Sequence, residues 1–321
     1  MTLYNNFIGI DIGKFNFVVA SYDSKVINEY QNSAAGIKLF LKEYKDKFKY
    51  SLCILEATGG YEVKLLNTLC TKKFAVHRAN TRKVKSFISS HGNNAKTDSL
   101  DAKALAKYGF ERHKLLKLYI PTAKILTHLY QLSCRRRELK QMLVAEKNRF
   151  QAPNNNLIKD SCKAHIDYLA TQISYITEEI SKIIAKDQKL EAKKEILKSI
   201  PGIGEITAAE LLVLMPELGN MSGKQVASLA GVAPRANDSG KYKGYRSVAS
   251  GREIIKPILF LAAMAARKSN SDLRSFYENL IARGKKKMVA LTALMRKIIV
   301  RANAKLRDLE LSLEKKVKII S

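Results

Sequence analysis

Phe7-Ile8-Gly9-Ile10-Asp11-Ile12-Gly13 is the stretch that decides the fold. A short apolar run closed by a glycine turn reads as a strand buried inside a sheet. It delivers one carboxylate, Asp11, beside the turn. Burying a lone Asp in such a strand is expensive unless a cation or a donor compensates it. The next segment, Phe15 to Tyr22, is rich in Phe and Val and reads as a second strand, and a third near Val26 to Gln31 completes a meander.

Working outward, Ala35 to Tyr44 carries Ile37, Leu39, Phe40, Leu41 and Tyr44 at broadly helical spacing, and Ser51 to Glu56 is a compact buried-strand run. A helix over Tyr61 to Thr71, a short strand at Phe74 to His77 and a helix over Thr81 to Ser89 follow. The order βββαβαβα predicts a mixed α/β layer fold around a central sheet. From Thr97 onward the pattern is almost wholly helical, through Asp101 to Tyr108 and a long basic segment from Thr122 to Phe150. Gln151 to Asn156 (QAPNNN) breaks it with Pro and Asn, and the first domain boundary is placed there. Beyond the break, Ile166, Leu169, Ile173, Ile176, Ile180 and Ile183 form an a/d seam. The seam predicts a helical hairpin or coiled coil, with either self-association or packing on its own chain as its use. The last part opens with Ile200 to Leu212 (IPGIGEITAAELL) and continues through a Gly/Pro/Asn/Ser loop, Gly231 to Gly244, into basic helices over Glu253 to Arg267 and Met288 to Leu311.

Lys and Arg number 57 against 29 acidic residues, a net charge of +28. Such an excess calls for a polyanion, and nucleic acid is the natural one, since each phosphate neutralised releases condensed counterions. A membrane surface is the weaker rival. No apolar run of spanning length occurs, and MTLYNNFIGIDIG lacks a basic n-region followed by an h-region, so a cytoplasmic, nucleoid-associated bacterial protein is expected, with no membrane partner. Cys53, Cys70, Cys134 and Cys162 form no CxxC pair and have no His at zinc-ligand spacing; they read as reduced packing thiols.

Glu56 ends the second strong strand in Leu55-Glu56-Ala57-Thr58-Gly59, where it can approach Asp11 if the two strands are neighbours. Asp98 and Asp101, in Lys96-Thr97-Asp98-Ser99-Leu100-Asp101, lie three apart at a helix start with Thr97 as N-cap, which puts both on one face. Taken alone, that pair is explained by the helix dipole. Together the four acids supply hard oxygen ligands suited to Mg²⁺ or Mn²⁺, with positions left for phosphate oxygens and water. Two ions ~4 Å apart can hold a scissile phosphate and stabilise both attacking and leaving oxygens.

Ser239 sits in Asp238-Ser239-Gly240-Lys241-Tyr242-Lys243-Gly244, a loop crowded with positive charge, where a hydroxyl could approach a phosphate. A serine ester would store the energy of the broken phosphodiester and allow rejoining without ATP. Ser-Gly alone usually marks a turn. Ile200-Pro201-Gly202-Ile203-Gly204 fits a helix-hairpin-helix, with Gly202 and Gly204 exposing backbone N–H groups to phosphate; the plainer reading is a Pro-Gly helix connection. Arg135, Arg136 and Arg137, and Lys285, Lys286 and Lys287, are basic runs that could equally be solvated faces. Tyr242 and Tyr245 among Lys241, Lys243 and Arg246 are better placed to stack bases while phosphates are neutralised.

Gly9-Ile10-Asp11, Glu56-Ala57-Thr58-Gly59, Lys96-Thr97-Asp98 with Asp101, Ile200-Pro201-Gly202-Ile203-Gly204 and Asp238-Ser239-Gly240 together resemble the insertion-sequence one-ten family, the RuvC-like DEDD transposases, and also the Piv-type DNA invertases. The resemblance runs over nearly the whole chain in order. It implies an RNase H-like (RuvC-like) catalytic domain over 1–150, a coiled-coil connector over 151–190, and a mainly α transposase domain with the helix-hairpin-helix over 191–321. It further implies Asp11, Glu56, Asp98 and Asp101 as metal ligands, Ser239 as nucleophile, and action on donor and target DNA. A noncoding bridge RNA and a homodimer or tetramer, in which the serine of one subunit completes the site of another, are implied too. Where the family tends to an Arg-rich helix start after the Ser-Gly loop, this chain has Glu253-Ile254-Ile255-Lys256-Pro257. Rival readings are a junction-resolving nuclease that activates water, an actin-like ATPase or sugar kinase, and a non-enzymatic bridging protein.

Overall fold

The computed structural model describes residues 4–92, 97–153, 155–244, 246–248 and 250–320, without the side chains of 314–320. Lys96 and Tyr245, both singled out above, lie outside the described residues. The chain divides into two compact units, Met1–Thr122 and Ala123–Ser321. The division falls before the long basic helix. The break between Gln151 and Asn156 therefore lies inside the second unit, because the helices on either side of it pack on one another.

In the first unit, β1 (Asn6–Ile12), β2 (Asn16–Ser21) and β3 (Ile27–Gln31) form the expected meander, followed by α1 (Ala34–Glu43), β4 (Ser51–Glu56), α2 (Val63–Thr71), β5 (Ala75–Ala79), α3 (Thr81–Ser90) and α4 (Asp98–Arg112). The sheet order is β3-β2-β1-β4-β5. The meander pairs antiparallel, whereas β1/β4 and β4/β5 pair parallel, with Gly9 opposite Ile54 and Ile10 opposite Leu55. The result is the mixed α/β layer that the element order predicts.

Strand alternation then decides what faces what. Ile8, Ile10 and Ile12 of β1 join Cys53 and Leu55 of β4 in the core under α1 and α2, with Ile37, Phe40, Leu65, Leu66 and Leu69. The opposite parity, Phe7 with Leu52 and Ile54, packs under α3 and α4 against Val84, Phe87, Leu105 and Tyr108. Asp11 and Glu56 share this second parity and so belong to the α3/α4 side. Gly9 explains how close α4 comes. A Cβ there would overlap the Ala102 carbonyl oxygen and the Ala106 amide and stand 2.9 Å from Leu105 Cβ. The missing side chain lets the helix backbone lie directly on β1.

The second unit is helical: α5 (Lys124–Gln151), α6 (Asn156–Lys186), α7 (Gln188–Lys198), α8 (Glu205–Leu214), α9 (Gly223–Leu229), then a hairpin of β6 (Asp238–Ser239) and β7 (Tyr242–Lys243), then α10 (Ile255–Ala266), α11 (Asp272–Ala282) and α12 (Lys287–Ile320). Arg136 reaches Thr177, and Glu146 reaches His165, so α5 and α6 run antiparallel from their turn. Most of the a/d seam packs inside this hairpin, with Ile173 and Ile183 half-buried at its edge. Leu169, Ile176, Ile180 and Ile184 pack with Leu129 and Leu139 of α5 and Ala209 and Val213 of α8. The apolar stripe therefore packs on its own chain, and self-association through it finds no support. Pro257 sits in the first turn of α10, where its missing N–H costs no helix bond. All four cysteines are free. Among the described residues no helix is long and apolar enough to cross a membrane.

Candidate active site and nucleic-acid surfaces

Asp11, Glu56, Asp98 and Asp101 line one cleft of about 550 Å³ in the first unit, with Thr58, Thr81 and Lys85 among its other walls. Asp11 and Glu56 come from adjacent parallel strands, each one residue beyond the last paired positions, Ile10 and Leu55. Asp98 and Asp101 come from the first turn of α4. Thr97 caps that helix, its side chain accepting from the Leu100 N–H at 3.3 Å. The Gly9 contact seats the same helix against β1 one residue after Asp101. Asp11, Glu56 and Asp101 are half-buried and Asp98 is exposed.

Glu56 feels two of the other three carboxylates. Burial, and then the charges of Asp11 and Asp101, push the Glu56 carboxyl above the usual carboxylate range. Lys85 and the Thr81 hydroxyl oppose that rise. Glu56, Asp11, Asp98 and Asp101 are the side chains that could hold a divalent cation here, all offering hard oxygen. Among the described residues, however, no group of three or more His, Cys, Asp or Glu side chains is already arranged to hold a metal ion. The four share a cleft without closing on one point.

One group that sequence reasoning passed over organises the loop after β4. Glu62 is fully buried. It accepts from the Thr58 N–H at 3.2 Å, the Thr58 hydroxyl at 3.1 Å and the Gly60 N–H at 2.9 Å, and from Arg78 Nε at 3.1 Å and Nη2 at 2.5 Å. Burial alone would raise its carboxyl, but these donors outweigh burial and hold it below the usual range. The loop that carries Ala57 and Thr58 past Glu56 is thus tied down from behind. Glu62 with Thr58 and Gly60 four and two residues earlier is the sequence signal, since a carboxylate can gather loop N–H groups at that spacing.

Ser239 lies in the second unit, exposed, in the β6/β7 hairpin rather than in an open loop. Ser239 pairs with Tyr242 and Asp238 with Lys243, and Gly240 takes φ +56° at the turn. The base is closed by a Pro234–Val248 bridge and by the Arg235 N–H donating to the Ser247 carbonyl at 3.0 Å. Lys241, Lys243 and Arg246 are exposed around it, Arg246 lying 3.5 Å from Asp238.

The other basic candidates divide. Arg136 is corrected: it is buried, its Nε donating to Thr177 Oγ1 at 2.7 Å and its Nη1 to Glu210 at 2.6 Å, so it ties α5, α6 and α8 together and presents nothing to a phosphate. Arg135 is exposed and Arg137 half-buried, and Lys285, Lys286 and Lys287 are exposed. Gly202 has φ +90°, and a Cβ there would stand 2.8 Å from Ala266 Cβ, so its flank is covered by α10. Gly204 faces open space. The first turn of α8 already has a carboxylate, Glu205, held by Lys194 at 2.7 Å and Lys198 at 2.8 Å.

Comparison with known proteins places the chain in a family. Residues 8–153 match the DEDD transposase domain of IS110 elements, and residues 194–278 match the Transposase IS116/IS110/IS902 family. These matches place the chain among transposases. More narrowly, the chain belongs to the IS110 family. It is 27% identical over 311 residues to the pilin gene-inverting proteins of Moraxella lacunata and Moraxella bovis, covering 94% of this chain and 96% of each relative. It is also 36% identical over 115 residues, 35% of this chain and 28% of the relative, to an uncharacterized protein of insertion element IS110 from Streptomyces coelicolor.

Proposed function

We propose that this protein is a DNA recombinase that cuts and rejoins strands with Mg²⁺ or Mn²⁺ at Asp11, Glu56, Asp98 and Asp101 and with Ser239 as nucleophile. The observation that carries the reading is the shared cleft, in which burial, and then the charges of Asp11 and Asp101, push the Glu56 carboxyl upward. Carboxylates that repel one another are relieved by a cation, and an all-oxygen donor set suits these two ions. When bound, such ions stabilise charge on the attacking and leaving oxygens of a phosphodiester.

The chain's own residues do the rest. Thr97 and the Gly9 contact hold Asp98 and Asp101 over the end of β1, and Glu62 fixes the loop beside Glu56. The Ser239 oxygen forms a bond to phosphorus while the bond from phosphorus to one bridging sugar oxygen breaks, that oxygen leaving as a hydroxyl. A hydroxyl of the second strand then displaces the serine, which regains its proton. Lys241, Lys243, Arg246, Arg135, Arg137, Gly204 and the Lys285–Lys287 run supply backbone contacts to donor and target DNA. The domain plan is an RNase H-like unit, a connector and a serine-bearing unit. A noncoding guide RNA and a dimer or tetramer complete the reading.

The test is strand exchange on a supercoiled substrate. Ser239→Ala should abolish rejoining together with any denaturation-resistant protein–DNA adduct, and Asp11→Asn should abolish both cutting and adduct. Normal cutting by Ser239→Ala would replace the reading with a water-activating nuclease. A second reading, inversion of a DNA segment rather than transposition, is favoured by the near full-length similarity to the two pilin gene-inverting proteins. It would appear as inversion of a segment between recognition sites in cis.

A further inference from the structure

Helix α3 separates two clefts of opposite character. One face turns Thr81, Lys85, Ile88 and Ser89 toward the carboxylates. The other turns Arg82, Lys83, Ser86, Phe87 and Ser90 into a second cleft of about 780 Å³, walled on its far side by Tyr108 and Arg112 of α4 and by Lys117. No carboxylate lines this second cleft among the described residues. We propose that it is a binding site for a single strand of nucleic acid, in which Arg82, Lys83, Arg112 and Lys117 neutralise phosphates and His77 in the cleft wall meets the edge of a base. The site goes beyond the recombination chemistry proposed above and does not depend on it.

Three observations carry this. Arg82, Lys83, Arg112 and Lys117 are all exposed, on three separate stretches of chain facing one space, so a single solvated helix face does not account for them. Cations spread along one groove can each neutralise a successive phosphate of a strand. The floor is aromatic: Phe87 and Tyr108 are buried edge to face at 5.2 Å, with the Arg112 guanidinium 6.0 Å from the Phe87 ring. These packed rings give the cleft a rigid apolar floor beneath its cationic rim. Lastly, His77 is a fixed polar contact. Its Nδ1–H donates to the Lys117 carbonyl at 2.7 Å, which leaves Nε2 as an acceptor in the neutral ring. Burial, with Lys83 adding to it, holds the His77 ring below the usual imidazole range and keeps it neutral, although the Lys117 carbonyl opposes this. A neutral ring accepting at Nε2 matches the exocyclic amine of a base.

The arrangement has a mechanical consequence. A helix with its side chains is about 10 Å across. A strand in the basic cleft therefore passes within one helix width of the carboxylates, with α3 fixing the distance between the two.

The test uses the full chain, a short single-stranded oligonucleotide carrying 5-iodouridine, fluorescence anisotropy and photo-crosslinking. Arg82→Gln/Lys83→Gln/Lys117→Gln should weaken binding by about tenfold or more at ~0.1 M salt and lower the salt slope by about 2, since each phosphate contact to a single strand contributes about 0.7. Crosslinks should map to the stretches that line the cleft, 77–90 and 108–117, in the wild type and disappear in the variant. A control removing equal charge elsewhere on the same unit, Lys25→Gln/Lys38→Gln/Lys64→Gln, should change binding less than twofold on the same scale. Arg82→Lys/Lys83→Arg/Lys117→Arg should restore binding. Equal losses in both glutamine variants, crosslinks confined to other peptides, or equal competition by polyglutamate would each overturn the proposal. Asp11→Asn should leave binding and crosslinks intact. If that variant still cuts DNA, the carboxylate reading fails while this site stands.

Discussion

Gly9→Ala probes how the carboxylates are brought together without touching any of them. A Cβ at this position stands 2.9 Å from Leu105 Cβ and closer still to the Ala102 carbonyl oxygen and the Ala106 amide, both backbone atoms of α4. Backbone cannot rotate away as a side-chain tip can, so α4 must lift from β1 by about 1 Å or more to regain ordinary carbon contact. Overpacking of this kind costs about 1–3 kcal/mol. The transition of the first unit should therefore fall by roughly 4 °C or more. Asp101 immediately precedes Ala102, so the lift carries Asp98 and Asp101 away from Asp11 and Glu56. A displacement of about 1 Å in a site that depends on position lowers rate by about a hundredfold. Single-turnover DNA cleavage and differential scanning calorimetry measure the two effects together. Wild-type cleavage and an unchanged transition in Gly9→Ala would refute the claim that this contact sets the site.

Glu56→Gln should raise thermal stability while abolishing cleavage, because the charged form is disfavoured by burial and by Asp11 and Asp101. The sign follows from the raised carboxyl: its cost to folding is present at neutral pH and relieved as pH falls through its folded pKa, so the gain in calorimetric midpoint should shrink on acidification. Glu62 behaves oppositely. Its lowered carboxyl contributes stability above its unfolded pKa that is lost as pH falls through the folded one, and Glu62→Ala should remove that acid-sensitive part in pH-dependent melts. Arg136→Met should leave the salt dependence of DNA binding unchanged and alter only stability, whereas Lys285→Gln/Lys286→Gln/Lys287→Gln should reduce the duplex salt slope by up to about 0.9 for each lysine that contacts a phosphate. Chelation should stop cleavage and added Mn²⁺ or Mg²⁺ restore it, read on a nicking gel.

Much of the first unit was legible because its strands are bounded by glycine and turn residues and its apolar runs are short. The parity of β1, with Phe7, Gly9 and Asp11 on one side and Ile8, Ile10 and Ile12 on the other, was present in the residues. What periodicity leaves open is register: nothing local says that Ile10 stands opposite Leu55, and that pairing puts Asp11 beside Glu56. Gly9 reads as an ordinary strand glycine until α4 is laid on it. Arg136 misled for the opposite reason. Three consecutive arginines point in three directions around a helix, and the middle one turns inward to Thr177 and Glu210, partners far away in sequence. The seam of α6 showed that an apolar face needed a partner, but not that α5 and α8 would supply it. The basic cleft was invisible as a motif, since Arg82, Arg112 and Lys117 meet only after β5, α3 and α4 are packed.

The most direct test of the account is anomalous scattering from crystals of the full chain equilibrated with Mn²⁺. Peaks should appear bounded by Asp11, Glu56, Asp98 and Asp101 and be absent from Asp11→Asn crystals grown the same way. Manganese bound only at other positions, with the four carboxylates left apart, would contradict it.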